Sequence, residues 1–234
     1  MLLLQAIDTA HKVVDSLSKA VQPGAAPTQE LRIGDLLVKG GWVMVPIGIL
    51  AVLGLVIFFE RYLTIRKAAK DESSLMSQVR TSILTGKLES AIAISKNSNS
   101  PLGRMLAKGL LRIGRPIKDI EGAIENIGKL EVSKLEKNIA ILGIVAGIAP
   151  MFGFLGTIVG VIKIFFDIST TDNYSLSTIS GGLYVKMITS AAGLVVGLVA
   201  YVLYNILNIM VDKVILKLET DAIEFIDLLE EPSK

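Results

Sequence analysis

Residues 148–166 read IAPMFGFLGTIVGVIKIFF, and this stretch decides the fold class of the chain. Nearly every side chain in it is apolar, yet it contains Pro150. It also contains three glycines: Gly153, Gly156 and Gly160. Its one hydroxyl side chain, Thr157, lies among these glycines. An apolar segment of this length predicts a helix across a lipid bilayer, where an interior proline is tolerated as a kink.

Three stretches of the chain carry no charged residue. They are Trp42–Phe59, Asn138–Ile162 and Met187–Val211, with 18, 25 and 25 residues. A helix needs about 20 apolar residues to cross a hydrocarbon core of about 30 Å. The whole chain is 51% hydrophobic and 20% charged, so its total composition decides little and the distribution of charge decides the class. The sequence therefore predicts an all-α membrane protein with three transmembrane helices.

The composition argues against enzyme chemistry. The 234 residues include no cysteine, which excludes disulfides, thiol catalysis and cysteine-based zinc sites. The single histidine, His11, has no second histidine at a metal-binding spacing, so we interpret it as a surface residue. Neither a GxxxxGK[ST] nor a GxSxG motif occurs. We therefore expect a protein that is not an enzyme and that uses no metal or organic cofactor.

Charge predicts the orientation in the membrane. Residues 63–137 carry 14 Lys and Arg against 8 Asp and Glu, whereas residues 167–178 contain two aspartates and no basic residue. Because cytoplasmic segments are enriched in Lys and Arg, the 63–137 segment is predicted to be cytoplasmic and the N-terminus to be outside. Lys163 and Lys186 flank the outer link and argue weakly the other way, but long lysine stems can reach the interface from within a span.

These patterns divide the chain into seven predicted segments. They are an outer amphipathic helix and linker (1–40), a first transmembrane helix (41–62), a cytoplasmic helical domain (63–137), a second transmembrane helix (138–166), an outer link (167–178), a third transmembrane helix (179–211) and an acidic cytoplasmic tail (212–234). Apolar spacing from Asp119 into Asn138 predicts that the second span continues from a cytoplasmic helix without a break. The third span is predicted to continue through Leu216 and Ile226. Long helices that project from a membrane usually bundle with each other or with copies of themselves. We therefore expect the second and third helices to extend into a cytoplasmic helical bundle, and we expect a homo-oligomer.

The polar side chains near the middle of the second and third spans are hydroxyls. Thr157 lies nine residues inward from Phe166, and Thr189 lies ten residues inward from Ile179. At 1.5 Å per residue both are about 14–15 Å deep, near the middle of the bilayer, and Ser190 adjoins the second. The uncharged stretches contain no acid or base, which a proton carrier working alone would usually keep at this depth.

Two interpretations of this pattern remain open. Small residues spaced four apart are common where membrane helices pack, and hydroxyls across such contacts contribute only about 0.6 kcal/mol. Under this interpretation the small residues pack helices and the proline is a tolerated kink. The residues concerned are Pro150, Gly153, Gly156, Gly160, Gly193 and Gly197. Under the other interpretation, Thr157, Thr189 and Ser190 line a polar pathway.

The two glycine-rich spans together resemble a known pair of motifs. IAPMFGFLGTIVGVIKIF, followed by GGLYVKMITSAAGLVVGLVAYVLYN, is similar to the paired signature of the MotA/TolQ/ExbB proton-channel family. The two motifs occur in order on adjacent spans and are separated by a short outer link. Three spans with a large loop after the first resemble the ExbB/TolQ branch, since MotA-type stators have four. The resemblance covers about residues 42–211 and leaves the first 40 residues unexplained.

The resemblance implies a fold and a mechanism. Its members are helical pentamers that hold the transmembrane helices of two copies of a single-span partner of the ExbD/TolR/MotB type. The partner carries an aspartate that takes up protons, and proton flow turns partner and ring relative to each other. By motif position, Thr157 matches the threonine of the first motif, and Thr189 and Ser190 match the hydroxyl pair of the second. A carboxylate supplied by another chain agrees with its absence from these spans.

Two positions of the second motif depart from the family pattern, and Lys186 lies beside the first of them. Val185 stands where many ExbB-like members have a glutamate, and Val199 stands where the usual proline is found. Lys186 precedes Thr189 and Ser190 by three and four residues, on their helix face. As a modulator, Lys186 would attract the partner's aspartate or tune its pKa; the alternative is a lysine that reaches outward to the interface.

The resemblance thus predicts a proton-channel subunit in the inner membrane of a bacterium, with a periplasmic N-terminus. It would couple the proton-motive force, through an ExbD/TolR-like partner, to work at the outer membrane such as TonB-dependent import. The expected partners are that single-span protein, further copies of this chain as a homopentamer, the lipid bilayer and a TonB-like protein, with no nucleic acid. The alternatives are a MotA-like stator for motility or another effector, and a passive membrane scaffold without ion conduction.

Overall fold

The computed structural model describes residues 41–69, 73–170 and 176–230. The predicted outer helix and linker at 1–40 lie outside these residues, as do the centre of the outer link and the last four residues of the tail. Within the described ranges the regular secondary structure is helical. The helices are α1 (Met44–Ala68), α2 (Ser73–Leu84), α3 (Leu88–Asn97), α4 (Pro101–Leu110), α5 (Ile117–Glu136), α6 (Ile139–Thr170) and α7 (Leu176–Glu230).

Three of these helices contain the candidate membrane spans. Stretches of α1, α6 and α7 are long and apolar enough to cross a bilayer, which confirms the predicted number of spans. Many of their large side chains face outward; Ile49 is 62% exposed, Phe154 63% and Leu194 63%. Soluble monomers rarely expose continuous apolar surface of this kind, so these faces require lipid or another protein chain.

Helix α7 is one uninterrupted helix of 55 residues. At 1.5 Å per residue it is about 80 Å long, more than twice the thickness of a hydrocarbon core. The predicted continuation of the third span through Leu216 and Ile226 is therefore confirmed. Helix α6 runs antiparallel to α7 along most of its length, and α1 packs against both.

The predicted continuity of the second span with the preceding helix is wrong. Helix α5 ends at Glu136 and α6 begins at Ile139. Between them Lys137 is extended, with φ −50° and ψ 132°, and Asn138 takes the left-handed conformation with φ 65°. Asparagine tolerates this conformation better than most residues, so it ends a helix where neither glycine nor proline is present. The break makes α5 a separate helix that packs on α4 and α7.

The shorter helices pack around the second half of α7 and the end of α1. Buried residues from several helices meet in this core, among them Ile65, Val79, Leu106 and Phe225. Helix α4 has a capped N-terminus. The Ser100 hydroxyl accepts a hydrogen bond from the N–H of Gly103 at 2.9 Å, and Pro101 occupies the first turn.

A buried carboxylate joins α5 to α4. The Glu131 side chain is 4% exposed and forms ion pairs with Arg104 of α4 and with Lys134. Burial raises the pKa of Glu131, but hydrogen bonds from Arg104 and Lys134 outweigh it, so the pKa lies below its ordinary value. Arg61, near the end of α1, donates a hydrogen bond to the carbonyl of Lys134 at 3.3 Å. One turn of α5 is thus tied to two other helices.

Candidate functional site

Helices α6 and α7 meet along a seam that is closed by glycines. A Cβ atom on Gly193 would lie 2.6 Å from the carbonyl oxygen of Ala149 and 2.8 Å from the Cα of Gly153. A Cβ on Gly153 would lie 3.0 Å from the carbonyl oxygen of Ser190. Because real side chains do not approach backbone so closely, only glycine permits this contact. These glycines bring the two helix backbones of one chain together.

Pro150 lies at the next turn of the same seam. Since proline has no N–H, the carbonyl of Ala146 loses its usual donor four residues along the helix. That carbonyl faces Gly197, where a Cβ would lie 2.9 Å from its oxygen and would overlap the proline ring. The missing side chain of Gly197 therefore makes room for both the ring and the carbonyl, while α6 continues through Pro150.

Thr157 lies beside the seam and is half-buried. Its hydroxyl donates a hydrogen bond to the carbonyl of Phe154, 2.6 Å away in the same helix. A hydroxyl has one proton to donate and two lone pairs that accept, so in this conformation Thr157 offers acceptors to its surroundings. An acceptor at this point suits a protonated carboxyl group or a water molecule, whereas a carboxylate requires the hydroxyl to rotate.

Thr189 and Ser190 are adjacent in sequence but lie on different sides of α7. Thr189 is fully buried, and its methyl carbon lies 2.8 Å from the position of a Cβ on Gly156. Val43, just before α1, closes the same contact at 3.1 Å. Ser190 is half-buried, with its backbone against Gly153. Thr189 is thus enclosed by this chain, whereas Ser190 is partly open.

An open groove lies on one side of the seam. It encloses about 360 Å³ and is lined by small and apolar residues, including Gly147, Pro150, Gly197 and Leu198. Thr157 follows Pro150 by seven residues and Ser190 precedes Gly197 by seven, so each shares a helix face with its groove residue. Helical spacing thus places Thr157 and Ser190 on the groove side of the seam, although neither residue lines the groove itself.

Lys186 crosses the seam at Gly160. The Cγ and Cδ atoms of Lys186 lie where a Cβ on Gly160 would stand, and Lys186 is half-buried while Gly160 is buried. The lysine stem thus leaves α7 and rests on α6. Lys163, three residues after Gly160, is exposed.

Two contacts of the seam are not evident from the sequence motifs. Tyr204 packs its ring edge on Gly143, with 3.3 Å to the position of a Cβ there, and Val43 packs on Gly156. Gly143 belongs to the small-residue spacing of α6, and Tyr204 belongs to the YN end of the second motif. The sequence therefore indicates each residue but does not indicate that they pair. Nothing in the sequence distinguishes Val43, because it precedes a uniformly apolar span.

A larger cavity of about 740 Å³ lies between α5 and α7, away from the seam. Its floor is apolar, with Ile124 and Ile226 among the lining residues, and acids such as Glu121 and Asp227 line it as well. None of the predicted site residues lines it.

Comparison with known proteins defines the class of this chain. The model of the MotA/TolQ/ExbB proton channel family matches residues 97–220, more than half of the chain, so the protein belongs to that family. The match includes both motifs of the seam. Members of this family are proton-channel proteins of energy-transducing systems, and this chain is one of them.

Individual relatives place it in the ExbB/TolQ-like branch. An ExbB homologue of Methanothermobacter thermautotrophicus is 24% identical over 187 residues, which cover 79% of this chain and 66% of that protein. The biopolymer transport protein ExbB of Salmonella typhimurium is 26% identical over 186 residues, 74% of this chain and 73% of its own length. The Tol-Pal system protein TolQ of Pseudomonas aeruginosa is 23% identical over 194 residues, covering 78% and 84%. Together with the three apolar helices, these relatives indicate a multi-pass inner-membrane protein.

Proposed function

We propose that this chain is the ring-forming subunit of an inner-membrane motor driven by protons. Five copies would surround the transmembrane helices of a pair of ExbD/TolR-like partners, with the N-terminus in the periplasm and residues 63–137 and 212–234 in the cytoplasm. The observation that carries this proposal is the position of Thr157 and Ser190. Both are half-buried beside a seam that glycines of the same chain close, and the backbone of Ser190 lies against Gly153, about one helical turn from Thr157.

The partner would supply the acid that these spans lack. Residues 138–166 and 176–211 contain no Asp, Glu or His. An ionisable group within a membrane is costly unless polar neighbours receive it. Each proton that crosses the full potential releases about 2.3 kcal/mol per 100 mV, enough to drive one partner carboxyl group through protonation and deprotonation. Family members work with partners of this type, which supports the assignment.

The hydroxyls would serve the two charge states of the carboxyl group differently. With its proton held by the Phe154 carbonyl, Thr157 accepts a hydrogen bond from the neutral acid. When the acid is ionised, a hydroxyl that rotates away from Phe154 becomes a donor to the carboxylate. Ser190 would act from α7 at the same level. Thr189 remains part of the proposed pathway, but its enclosure behind Gly156 means that its variants should disturb packing as well as flux.

The work performed would be at the outer membrane. Relatives named as biopolymer transport proteins and as a Tol-Pal system protein favour an ExbB/TolQ-like energiser over a MotA-like stator. We therefore propose coupling through an ExbD/TolR-like partner, with a TonB-like protein as the recipient in TonB-dependent import.

The test is proton flux through the purified complex in liposomes. Thr157→Val keeps the shape of the side chain and removes the hydroxyl, so partner-dependent flux should fall by about tenfold or more, because an unpaired polar group at depth costs about 1–3 kcal/mol. Native mass spectrometry should still give a pentamer with its partner. The control is Thr220→Val. Thr220 is an exposed helix threonine whose hydroxyl is likewise bonded to its own backbone, at 2.8 Å from the Leu216 carbonyl.

Either of two results would contradict the proposal. The first is wild-type flux from an intact Thr157→Val complex, which would leave the hydroxyl with a packing role alone. The second is partner-independent conduction by the wild-type chain, which would remove the need for an external carboxylate.

A further inference from the structure

Lys186 is the single charged residue of α7 before Asp212. Its stem does not run along α7 but crosses to α6, where its Cγ and Cδ atoms occupy the space above Gly160. Gly160 is buried, and a Cβ there would overlap the stem. The charge of Lys186 is therefore carried in the α6–α7 seam rather than on the lipid-facing side of α7.

The lysine also lies next to the proposed pathway. It precedes Thr189 and Ser190 by three and four residues, and Gly160 follows Thr157 by three residues. One helical turn is about 5.4 Å, so the point where the stem crosses the seam is one turn outward from the three hydroxyls. A lysine stem is long enough to place its ammonium within one turn of its own Cα.

Within the described parts of the chain, this ammonium has no carboxylate partner. On α6 the nearby titratable residues are Lys163 and Asp167, both exposed, and Asp167 lies about two turns beyond Gly160. On α7 the neighbouring titratable residue is Tyr184, and α1 has none between its start and Phe59. Among the described residues no carboxylate forms an ion pair with Lys186. A cation in such surroundings attracts an anion from another chain.

We propose that Lys186 is a positioning residue for the membrane-embedded carboxylate of the single-span partner. Its ammonium draws the ionised carboxylate to the level of Thr157 and Ser190 and holds it there until a proton arrives. This inference rests on the proposed function. It differs from a packing role because a cation close to a carboxyl group favours the charged form, and so lowers the pH at which that group takes up a proton.

The experiment measures when the partner's carboxyl group becomes protonated in the assembled complex. Dicyclohexylcarbodiimide reacts with protonated carboxyl groups in apolar surroundings, and the mass of the partner reports the labelled fraction across a pH series. Lys186→Met keeps the stem and removes the charge, so the midpoint of labelling should rise by about one pH unit or more. Lys186→Arg should stay close to wild type because the charge is kept.

Two further variants separate charge from packing. Lys163→Met removes an exposed lysine one turn from Gly160 and should leave the midpoint unchanged. Gly160→Ala keeps the lysine but fills its place on α6, so the midpoint should shift in the same direction as in Lys186→Met. If the methionine variant fails to assemble, the Gly160→Ala complex decides the question.

An unshifted midpoint in an assembled Lys186→Met complex overturns the inference, as does an equal shift in Lys163→Met. Failure of the proposed function looks different. In that case the wild-type complex itself shows no partner-dependent flux and no pH-dependent labelling. The wild-type complex can conduct and be labelled while the Lys186→Met complex has the same labelling midpoint. That result rejects only the role of the lysine.

Discussion

At the scale of single residues, the glycines and the hydroxyls occupy different positions in the same seam. Gly153 and Gly193 allow two backbones of one chain to touch, and the hydroxyls are distributed around that contact. Thr189 is enclosed, while Thr157 and Ser190 remain partly open. The two interpretations of the sequence pattern, helix packing and polar pathway, are therefore compatible, because they concern different residues.

Gly193→Ala should destabilise the protein through this contact. The new methyl group would lie 2.6 Å from the Ala149 carbonyl and 2.8 Å from the Gly153 Cα, and backbone atoms cannot rotate aside. We expect a loss of about 1–3 kcal/mol, seen as a lower melting temperature in detergent. The matched control is Gly147→Ala, since a Cβ at Gly147 meets nothing within 4 Å. Equal melting temperatures for both variants would show that the seam is looser than described.

At the scale of elements, the chain combines one very long helix with a set of short ones. Helix α7 extends without a break from the spans into the core formed with α2, α4 and α5. Helix α6 is separated from α5 at Asn138, so α5 is oriented by its own contacts. Glu131 provides the polar part of those contacts through Arg104 and Lys134.

Glu131→Gln should destabilise this region, and the effect should depend on pH. The folded pKa of Glu131 lies below its ordinary value of 4.5, so its stabilising contribution is fully present above that value and is lost as pH falls through the folded pKa. At neutral pH we expect the free energy of unfolding to drop by about 1–3 kcal/mol. The difference between variant and wild type in thermal unfolding should shrink below pH 4.5.

Glu125→Gln is the control for this prediction. Glu125 pairs with Lys129 in the same helix, but both side chains are exposed, and exposed pairs contribute little. Its loss should change the melting temperature only slightly. A Glu125→Gln effect as large as that of Glu131→Gln would mean that general charge, rather than the buried pair, determines the pH dependence.

At the scale of the whole molecule, the described surface includes apolar faces that nothing covers. Large apolar residues such as Phe154, Leu198 and Tyr201 remain exposed, some beside the groove and others around α1 and α6. Lipid can cover the outer faces, because it requires only apolar side chains and internally bonded backbone. The groove, which lies on the same helix faces as Thr157 and Ser190, is better matched by protein, which can supply polar partners at depth.

The proposed orientation is tested by single cysteines in this naturally cysteine-free chain. An impermeant thiol reagent applied to spheroplasts should label Thr170→Cys, at the outer end of α6, and should leave Ser77→Cys in α2 unlabelled. Both threonine and serine are exposed, so accessibility is matched. Both should react once the membrane is permeabilised. Labelling of Ser77→Cys in intact spheroplasts would reverse the assignment.

Much of this architecture follows from amino-acid order alone. Three charge-free stretches predict three spans because a bilayer excludes charge over a length that one helix can cross. The paired motifs around Thr157 and Thr189 indicate the family, and the proposal that a partner supplies the acid rests on that resemblance. The long α7 is predictable too, since its apolar spacing continues beyond Val211.

The pairing of residues depended on the tertiary structure. Spacing places Gly160 and Lys186 on two helices but does not indicate that the lysine stem rests on that glycine. Adjacent Thr189 and Ser190 differ in burial because residues next to each other on a helix point about 100° apart, and only the position of α6 and Val43 decides which one is enclosed. The break at Asn138 was equally hidden, because asparagine is compatible with both helix and left-handed turn, and the packing of α5 on α4 selects between them.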